Sequence, residues 1–438
     1  MQFPERPTVY LDVSQMMGNR LNTGIQRVVR NLARVGPEVC AEFRYNCRLV
    51  HAIGGHFYRL RYEMIDNQSP LFVSRLVRRS LGRKIVQEAV PRFSKPLQPL
   101  STDLMITLNA TWDQQGWCQA LEDIKKQCHT SSVVYDLIPI TAAQFHTPDL
   151  CQRFSSWFAQ LVNVSHHLVG ISRHVRNEID DYLQKSVDLL SPRPTTSYFR
   201  LGTELLSTAV TDAKPAIWAA TREYDTVVRP ALREFLGSGE TTLLSVGTIE
   251  PRKNHAVLLA ACQKLWQQGW AGRLLLIGRI GWKNSSLCQA IQTIPDSRLL
   301  HLQDAGDSEL RYAYGKSSAL VFPSWEEGFG LPLVEALQNQ LPVIVSDIPI
   351  HREVAGGYCQ FFSPDKPEQL ISRIVTAEND RFRELKSKAA GFQAIDWKQS
   401  FHLLLCDAIV ASRGFVAAQE QSIKHGVGDE NRATPFAA

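Results

Sequence analysis

The sequence predicts an α/β protein with two domains, each built around a doubly wound parallel sheet. Short apolar runs alternate with amphipathic segments along most of the 438 residues. Strand and helix patterns that alternate on this scale are typical of parallel sheets covered on both faces by helices. The alternation stops between about residues 206 and 240. A length prior of ~150 residues per domain also favours two or three domains.

The first set of elements begins with the strand pattern TVYLDV, which a polar loop and an amphipathic helix follow. Ile25, Val28, Val29 and Leu32 form the helix face, at positions i, i+3, i+4 and i+7. Ser172 is a good N-cap, so a helix is predicted after it. Further strands are predicted in LMITLNA (104–110), in SSVVYDLIPI (131–140) and in HHLVGIS, which ends at Ser172.

The second set of elements repeats this pattern more clearly. Its predicted strands are TLLSVG, RLLLIG, RLLHLQD, ALVFPS and PVIVSD, and its first helix is AVLLAACQKLW. The C-terminal residues turn to Gln, Gly, Asp, Asn and Ala, a composition typical of a disordered tail. The predicted organisation is an N-terminal domain at 1–205, a linker or insertion at 206–240, a C-terminal domain at 241–395, a closing helix at 396–413 and a disordered tail at 414–438.

Composition and charge exclude several classes of protein. The net charge of +5 permits anionic partners, but no zinc-finger or aromatic-basic pattern argues for nucleic acid. The nine cysteines are scattered without a C-x-x-C pair, which fits a reducing compartment better than a disulfide framework. The N-terminus MQFPERP has no apolar signal core, and no apolar run is long enough to span a bilayer. We therefore expect a cytoplasmic protein.

The segment 70–86 departs from the α/β pattern. It contains five basic residues and no acid, interleaved with apolar residues. A basic amphipathic segment can lie at an anionic membrane surface. A solvated basic helix that packs on its own domain explains the pattern equally well. Peripheral contact with the inner face of the cell membrane is thus one of two open interpretations.

Two carboxylates, Glu327 and Glu335, stand eight positions apart in EEGFGLPLVEA. The stretch follows the predicted strand ALVFPS, and open α/β sheets bind ligands at the carboxyl ends of their strands. Gly328 and Gly330 allow close backbone approach, and Pro332 suits the first turn of a helix, whose N-terminus attracts an anion. The carboxylates can accept hydrogen bonds from sugar hydroxyls on both sides of that anion. Although Glu335 alone could simply stabilise its helix, the whole pattern predicts a nucleotide-diphosphate sugar.

A pair of cations, Arg252 and Lys253, lies in SVGTIEPRKNH, which also follows a strand and precedes a helix. A diphosphate leaving group needs cations and donors where charge develops during bond cleavage. A solvated basic turn is the alternative interpretation. The position of the pair in the same half of the chain as the two carboxylates favours a functional role.

These motifs resemble those of the retaining glycosyltransferases of the large GT4 group, which have the GT-B fold of two Rossmann-like domains facing across a cleft. GTIEPRKN, PSWEEGFGLPLVEAL and LPVIVSDIPIHREVAGG stand in the order and spacing of that group. NTGIQRVVRNL, VVYDLIPI, LVGISRHV and FRLGTEL extend the resemblance to the N-terminal half. The subgroup with GTIEPRKNH is similar to bacterial mannosyltransferases of surface-polysaccharide assembly.

The resemblance implies a role for each matching residue of the C-terminal half. Glu327 would hold hydroxyls of the donor sugar, and Glu335 would hold the ribose. Arg252 and Lys253 would neutralise the diphosphate, which makes them, together with Glu327, the expected catalytic residues. The backbone groups expected against sugar and phosphate are those of Gly328, Phe329, Gly330 and Leu331.

The resemblance also implies roles for two residues of the N-terminal half. At two other positions this sequence departs from the pattern of the group. Gly24 would lie beside the diphosphate and the acceptor, and Asp136 would face the acceptor. Thr248, a donor-binding position, stands where many members carry an arginine, and Tyr135 stands where many carry a histidine. Three histidines could be proposed in place of the missing one: His174, His255 and His351. None is favoured, because a lone histidine is more often structural or solvated.

The implied function is transfer of a hexose, with mannose expected, from GDP-mannose or another nucleotide-diphosphate sugar to a glycan or lipid-linked oligosaccharide. A front-face displacement is expected, in which a donor phosphate oxygen takes the acceptor proton. No cofactor and no metal are expected, because no His, Asp or Cys cluster has metal-ligand spacing. Two alternatives stay open: a sugar-nucleotide epimerase or hydrolase on the same fold, and a non-catalytic partner in polysaccharide assembly.

Overall fold

The chain folds into two compact units. The computed structural model describes residues 6–16, 24–60, 94–186, 193–203 and 228–429, with side chains up to residue 415. The basic segment 70–86 and most of the predicted linker lie outside these residues. Unit 1 consists of Met1–Leu137, Asp149–Leu201 and Trp397–Ala438, and unit 2 consists of Ile138–Pro148 and Gly202–Asp396.

Unit 1 contains a seven-stranded sheet in the order β3-β2-β1-β4-β5-β6-β7. All described pairs in it are parallel except β2 with β3, which form an antiparallel edge that the sequence patterns did not predict. The strands are Thr8–Asp12 (β1), Asn46–Ile53 (β2), His56–Leu60 (β3), Leu104–Thr107 (β4), His129–Val134 (β5), His167–Gly170 (β6) and Thr195–Tyr198 (β7).

Unit 2 contains a six-stranded sheet in the order β10-β9-β8-β11-β12-β13, with parallel pairing throughout its described strands. The strands are Thr242–Val246 (β8), Arg273–Ile277 (β9), Leu299–Leu302 (β10), Ala319–Phe322 (β11), Val343–Ser346 (β12) and Gln360–Phe362 (β13). Numbered within the unit, this order is 3-2-1-4-5-6, the doubly wound order whose direction reverses between the first and fourth strands. The predicted fold class, two doubly wound α/β domains, is confirmed.

The described helices cover the sheets and are numbered in chain order. They are Gly24–Glu42 (α1), Trp117–Lys125 (α2), Ile138–Thr141 (α3), Pro148–Val164 (α4), Arg173–Lys185 (α5), Pro230–Gly237 (α6), His255–Gln267 (α7), Ser285–Gln292 (α8), Asp307–Lys316 (α9), Leu331–Gln338 (α10), Pro349–Ala355 (α11), Pro367–Asn379 (α12), Arg383–Ala390 (α13) and Trp397–Asp429 (α14). Short 3-10 turns lie at Ser14–Met16, Ala143–Phe145, Pro251–Lys253 and Gly356–Tyr358.

Burial explains why these strands read as continuous apolar runs rather than as alternating ones. Every residue of β11 and of β12 is buried. Leu243, Leu274 and Ile344 belong to one cluster with side chains of α7 and α12. A parallel sheet covered on both faces has no solvent side, so the alternation of polar and apolar residues disappears.

Three boundaries differ from the sequence-based predictions. A strand was predicted at 131–140, but β5 ends at Val134. The last residues of the predicted segment belong to the short helix α3, which begins at Ile138. Pro139 lacks the N–H that a central strand must donate, so a strand could not continue to residue 140. Helix α6 lies within the predicted linker, and α14 continues to Asp429, past the predicted end at residue 413. None of the described helices is long and apolar enough to cross a membrane.

Candidate functional site

The strand order of unit 2 brings the two motif loops of the C-terminal half together. β8 and β11 are hydrogen-bonded neighbours at the point where the sheet reverses its direction. The loop after β8 carries Arg252 and Lys253, and the loop after β11 carries Glu327. The backbone N–H of Trp325 donates to the carbonyl oxygen of Arg252 at 2.8 Å, which joins the loops directly. This edge is the one at which open α/β sheets bind ligands.

Glu327 is the centre of a buried ionic cluster. Lys253 Nζ lies 2.5 Å from Glu327 Oε1, and Ser324 Oγ donates to the same oxygen at 2.8 Å. Arg252 Nη1 donates to Glu327 Oε2 at 3.0 Å. The side chain of Glu327 is only 7% exposed. Both carboxylate oxygens therefore have protein partners, although they are separated from the two cations by more than seventy positions along the chain.

The ionisation of Glu327 follows from these contacts. Burial by itself would raise the pKa of Glu327, but the Lys253 and Arg252 cations lower it to about 2. The carboxylate is thus charged at neutral pH. Because its pKa is lowered from 4.5 by folding, the pair stabilises the fold above that pH. This stabilisation is lost as the pH falls toward the lower value.

Arg252 is fixed by three oxygen atoms. Besides Glu327, its guanidinium donates to the backbone oxygen of Glu326 at 2.7 Å and to Glu250 Oε1 at 2.7 Å. Glu250 is 5% exposed and was not singled out from the sequence, although it lies inside the quoted motif. A guanidinium held at several points keeps its orientation, which suits it to binding a second, planar or phosphate-like acceptor.

A series of hydrogen bonds between buried polar side chains holds the loop that carries Glu327. Ser346 Oγ donates to the carbonyl oxygen of Ser324 at 2.5 Å, and His351 Nδ1 lies 2.9 Å from the carbonyl oxygen of Ser346. A carbonyl can only accept, so Nδ1 of His351 carries the proton. Burial lowers the pKa of His351 to about 4. His351 is therefore neutral at pH 7, and through Ser346 it helps to hold the loop that carries Ser324 and Glu327.

The glycine bend after Glu327 leads directly into helix α10. Gly330 is the N-cap residue, with φ of +89° in the left-handed region, and Pro332 is the second residue of the helix. A side chain at Gly330 would be strained by that φ, so glycine is required. The first N–H groups of a helix lack partners within it. The bend and Leu331 therefore lie at a helix end that favours an anion.

Glu335 lies on α10 and has a partner that the sequence did not indicate. Tyr314 Oη, from α9, donates to Glu335 Oε2 at 2.8 Å. Tyr314 is 3% exposed, whereas Glu335 is partly accessible. A tyrosine seven residues after the start of α9 has no local signal that would connect it with α10. The contact fixes one carboxylate oxygen of Glu335.

The loop after β8 depends on a close approach of two glycine residues. A Cβ at Gly278 would lie 2.0 Å from the carbonyl oxygen of Gly247, and Gly278 has φ of +153°. Thr248 follows Gly247 directly and is partly exposed. The loop that carries Arg252 and Lys253 therefore starts against the end of β9 without room for a side chain.

Gly278→Ala is expected to lower the free energy of unfolding of unit 2 by on the order of 1–3 kcal/mol, the cost of a strained backbone conformation. Denaturant unfolding followed by tryptophan fluorescence measures this loss. Gly237→Ala is the matched control, because a Cβ there meets nothing within 4 Å and its φ is not positive. Equal stability of the two variants would contradict the expectation.

The predicted residues of unit 1 lie at the carboxyl edge of its own sheet. Asp136 follows β5 by two residues and is partly exposed. Gly24 is the first residue of α1, and the rest of its predicted loop, at 17–23, lies outside the described residues. Tyr135 donates its hydroxyl to the carbonyl oxygen of Leu108 at 2.7 Å. Tyr135 therefore has a structural partner at the position where a histidine was expected.

One groove of unit 2 lies away from the ionic cluster. This groove of about 570 Å³ is lined by residues that precede β8, β11 and β12, so it lies at the opposite edge of the sheet from the ionic cluster. Within the described part of the chain, no group of three His, Cys, Asp or Glu side chains could hold a metal ion.

Comparison with protein families gives a match for the unit that holds this cluster. Residues 229–392 match the family model of the glycosyl transferases group 1. The match includes both motif loops, with Arg252, Lys253, Glu327 and Glu335. Unit 2 therefore contains a glycosyl transferases group 1 domain.

The chain is also similar to curated bacterial proteins. It is 28% identical over 407 residues to the serotype-specific mannosyltransferase WbdA of Escherichia coli, which covers 90% of this chain and 45% of that protein. The O-antigen chain mannosyltransferase B of Escherichia coli is 30% identical over 168 residues, 38% of this chain and 44% of that protein. The chain thus spans about half the length of the curated relatives that it matches.

A solved structure shows the same fold. The sucrose-phosphate synthase of Thermosynechococcus elongatus aligns with a TM-score of 0.58 at 16% identity, over 94% of this chain and all of that chain. At this identity the likeness concerns the fold alone. It supports the GT-B class, with two Rossmann-like α/β domains, that the motifs led us to expect.

Proposed function

We propose that this chain, with its glycosyl transferases group 1 domain, is a retaining glycosyltransferase of surface-polysaccharide biosynthesis such as that of O-antigen. It transfers a hexose, with mannose the first choice, from a nucleotide-diphosphate sugar to a glycan or lipid-linked oligosaccharide. The observation that supports this most is the cluster of Arg252, Lys253 and Glu327 at the reversal point of the sheet. The names of the mannosyltransferase relatives favour mannose and GDP-mannose.

The chemistry assigns one task to each part of the cluster. Arg252 and Lys253 stabilise the charge that develops on the diphosphate as the glycosidic bond breaks. The start of α10, with Gly328, Phe329 and Gly330, adds N–H groups and a helix dipole at the same anion. Glu327 and Glu335 accept hydrogen bonds from hydroxyls on the sugar side and on the ribose side. Gly24 lies beside the diphosphate and the acceptor, and Asp136 belongs to the acceptor side.

Glu327 is poorly suited to act as a nucleophile. Both of its oxygens receive hydrogen bonds from protein groups, and its pKa of about 2 makes it a weak base. A front-face displacement, in which a phosphate oxygen of the donor takes the acceptor proton, needs no enzyme carboxylate at the anomeric carbon. This route agrees with retention of configuration.

A thermal-shift screen of GDP-, UDP-, ADP- and dTDP-sugars tests the proposal. A ligand present at 100 times its dissociation constant stabilises the fold by ~2.7 kcal/mol, which such a screen detects. We expect selective stabilisation by GDP-mannose, followed by transfer to a membrane-extracted acceptor. Free sugar without an acceptor-linked product would indicate hydrolysis or epimerisation instead. A chain that binds none of the nucleotide sugars would contradict the proposal.

Turnover is expected to be independent of divalent metal ions. Two cations and a helix N-terminus supply the positive charge that a metal supplies in other diphosphate sites. Dialysis against EDTA should therefore leave the initial rate of transfer unchanged. Loss of activity that Mg²⁺ or Mn²⁺ restores would show that a metal ion takes part.

A further inference from the structure

We propose that Glu327 is a positioning residue for Lys253, which it keeps protonated in a buried place so that a full positive charge meets the diphosphate. The inference rests on the proposed function and deepens it. It gives Glu327 a task that does not depend on the identity of the sugar. It also predicts a pH signature that a sugar contact alone would not produce.

The surroundings of Lys253 are the first part of the argument. Its side chain is 12% exposed, and its Nζ lies 5.1 Å from the centre of the Phe322 ring and 2.5 Å from Glu327 Oε1. Glu250, the other acid nearby, makes its ion pair with Arg252. Among the described residues, Glu327 is the acid with which Lys253 forms an ion pair.

The other charged and titratable groups near Lys253 do not replace this partner. Arg252 and Glu250 face it from its own loop, Glu327 from the loop after β11, His255 from α7 and His351 from α11. Burial lowers the pKa of His255 to about 3 and that of His351 to about 4, so both are neutral at pH 7. Arg252 adds a like charge, which disfavours a protonated lysine.

The second part is the opposition of burial and charge. Burial lowers the pKa of the Lys253 ammonium, and Glu327 acts in the opposite direction. A buried lysine without a counter-ion releases its proton near neutral pH, because the interior solvates its charge poorly. A neutral amine would give the diphosphate a hydrogen bond but no charge. Glu327 therefore maintains the charge that the proposed reaction needs.

The third part is the way Glu327 is held in place. Ser324 Oγ shares Oε1 with Lys253, and the buried Ser346 and His351 fix the backbone of Ser324. These groups orient the carboxylate toward the two cations. A diphosphate oxygen offers Lys253 the same acceptor and the same charge as Oε1. Lys253 can therefore bind either oxygen without losing its proton.

A direct test is an NMR titration of the Lys253 ammonium without nucleotide, in isotopically labelled protein. Lys253→Arg assigns the signal. We expect Glu327→Gln to raise the acid dissociation constant of Lys253 at least ~10-fold, which is one pKa unit. Glu326→Gln is the matched control, because it removes the neighbouring carboxylate, which forms no ion pair with Lys253. An unchanged titration in Glu327→Gln would overturn the proposal.

A second test measures the affinity for GDP between neutral pH and about pH 9.5, where a lysine titrates. Glu327→Gln should lose more affinity than wild type over this range, by up to about tenfold for a shift of one pKa unit. The double variant Glu327→Gln, Lys253→Arg should lose this extra pH dependence, because arginine stays charged. The proposal would be contradicted if the affinity for GDP depended on pH in the same way in wild type and Glu327→Gln, while only the affinity for GDP-mannose was lower in the variant. Glu327 would then be a sugar contact and nothing more.

The two tests separate this inference from the proposed function. If wild type binds GDP at no pH, the choice of donor fails, and the NMR titration still decides the role of Glu327. If Glu327→Gln does not fold, wild type and Lys253→Arg are compared instead. We expect them to bind GDP with the same pH dependence up to about pH 9. A wild-type affinity that falls earlier than that of Lys253→Arg would overturn the proposal.

Discussion

Lys253→Ala is expected to lower the rate of sugar transfer by roughly 10²–10³-fold, the usual effect of removing one pre-organised group that stabilises developing charge. Lys253 reaches the edge of the sheet at which the donor is proposed to bind, and its Nζ is held by Glu327 at 2.5 Å. Its loss leaves Arg252 as the one remaining cation of the pair. The negative charge on the diphosphate increases as the glycosidic bond breaks, so Lys253 stabilises the transition state more than the bound substrate. The loss should therefore fall on kcat more than on KM.

Steady-state kinetics with the best donor from the screen measure this effect. Lys253→Met keeps most of the apolar side chain and removes the charge together with the N–H donors, so it should match Lys253→Ala. Lys264→Ala removes the same charge from the exposed face of α7 and should leave the rate unchanged. Removal of one partner from a buried pair can cost ~3–5 kcal/mol, so folding must be verified by denaturant unfolding. A wild-type rate in a folded Lys253→Met would refute the assigned role.

Glu335→Ala is expected to lower kcat/KM by roughly 10- to 100-fold, because hydrogen bonds to a charged group contribute about 1.5–3 kcal/mol. One oxygen of Glu335 accepts from Tyr314 at 2.8 Å, which orients the carboxylate on α10. Tyr314→Phe should reproduce part of the loss, since it frees the carboxylate to rotate. The effect should be mostly on KM, because the ribose is bound equally in the ground state and in the transition state.

A donor with a dideoxyribose distinguishes a ribose contact from a general loss of structure. If Glu335 binds ribose hydroxyls, Glu335→Ala and wild type should use the dideoxy donor equally poorly. A further large loss with this donor would show that Glu335 acts elsewhere. Glu353→Ala, an exposed acid of α11, is a control for the change in charge.

The site could be predicted from the sequence only as separate pieces. GTIEPRKN and EEGFGLPLVEA each follow a strand pattern and precede a helix pattern, and local chemistry identifies the cations, the glycine bend and the carboxylates. Their roles remain predictions. No local pattern indicated Tyr314, Ser346 or Glu250 as partners. Tyr314 and Ser346 contact residues more than twenty positions away along the chain, and Glu250 contacts Arg252 within a loop, where no helix or strand period applies.

Some local structure was also beyond the sequence patterns. The apolar run at 131–140 reads as one strand, yet β5 ends at Val134 and α3 begins at Ile138. The antiparallel edge strand β3 was not predicted, because an edge strand has no continuous apolar pattern. Pro139 prevents a central strand from continuing to residue 140, whereas the pairing of β3 was decided by the tertiary environment.

The sequence by itself determined the α/β class, the division into two sets of strand and helix patterns, and the residue types of a site for a charged ligand. These follow from periodicity and from turn chemistry, which act over a few residues. Only the tertiary structure decided that Arg252 and Lys253 meet Glu327. Backbone hydrogen bonds between strands are the same for every residue type, so no short pattern states that β8 lies beside β11. That pairing places the cations beside a buried carboxylate and turns Glu327 from a free acceptor into the counter-ion of Lys253.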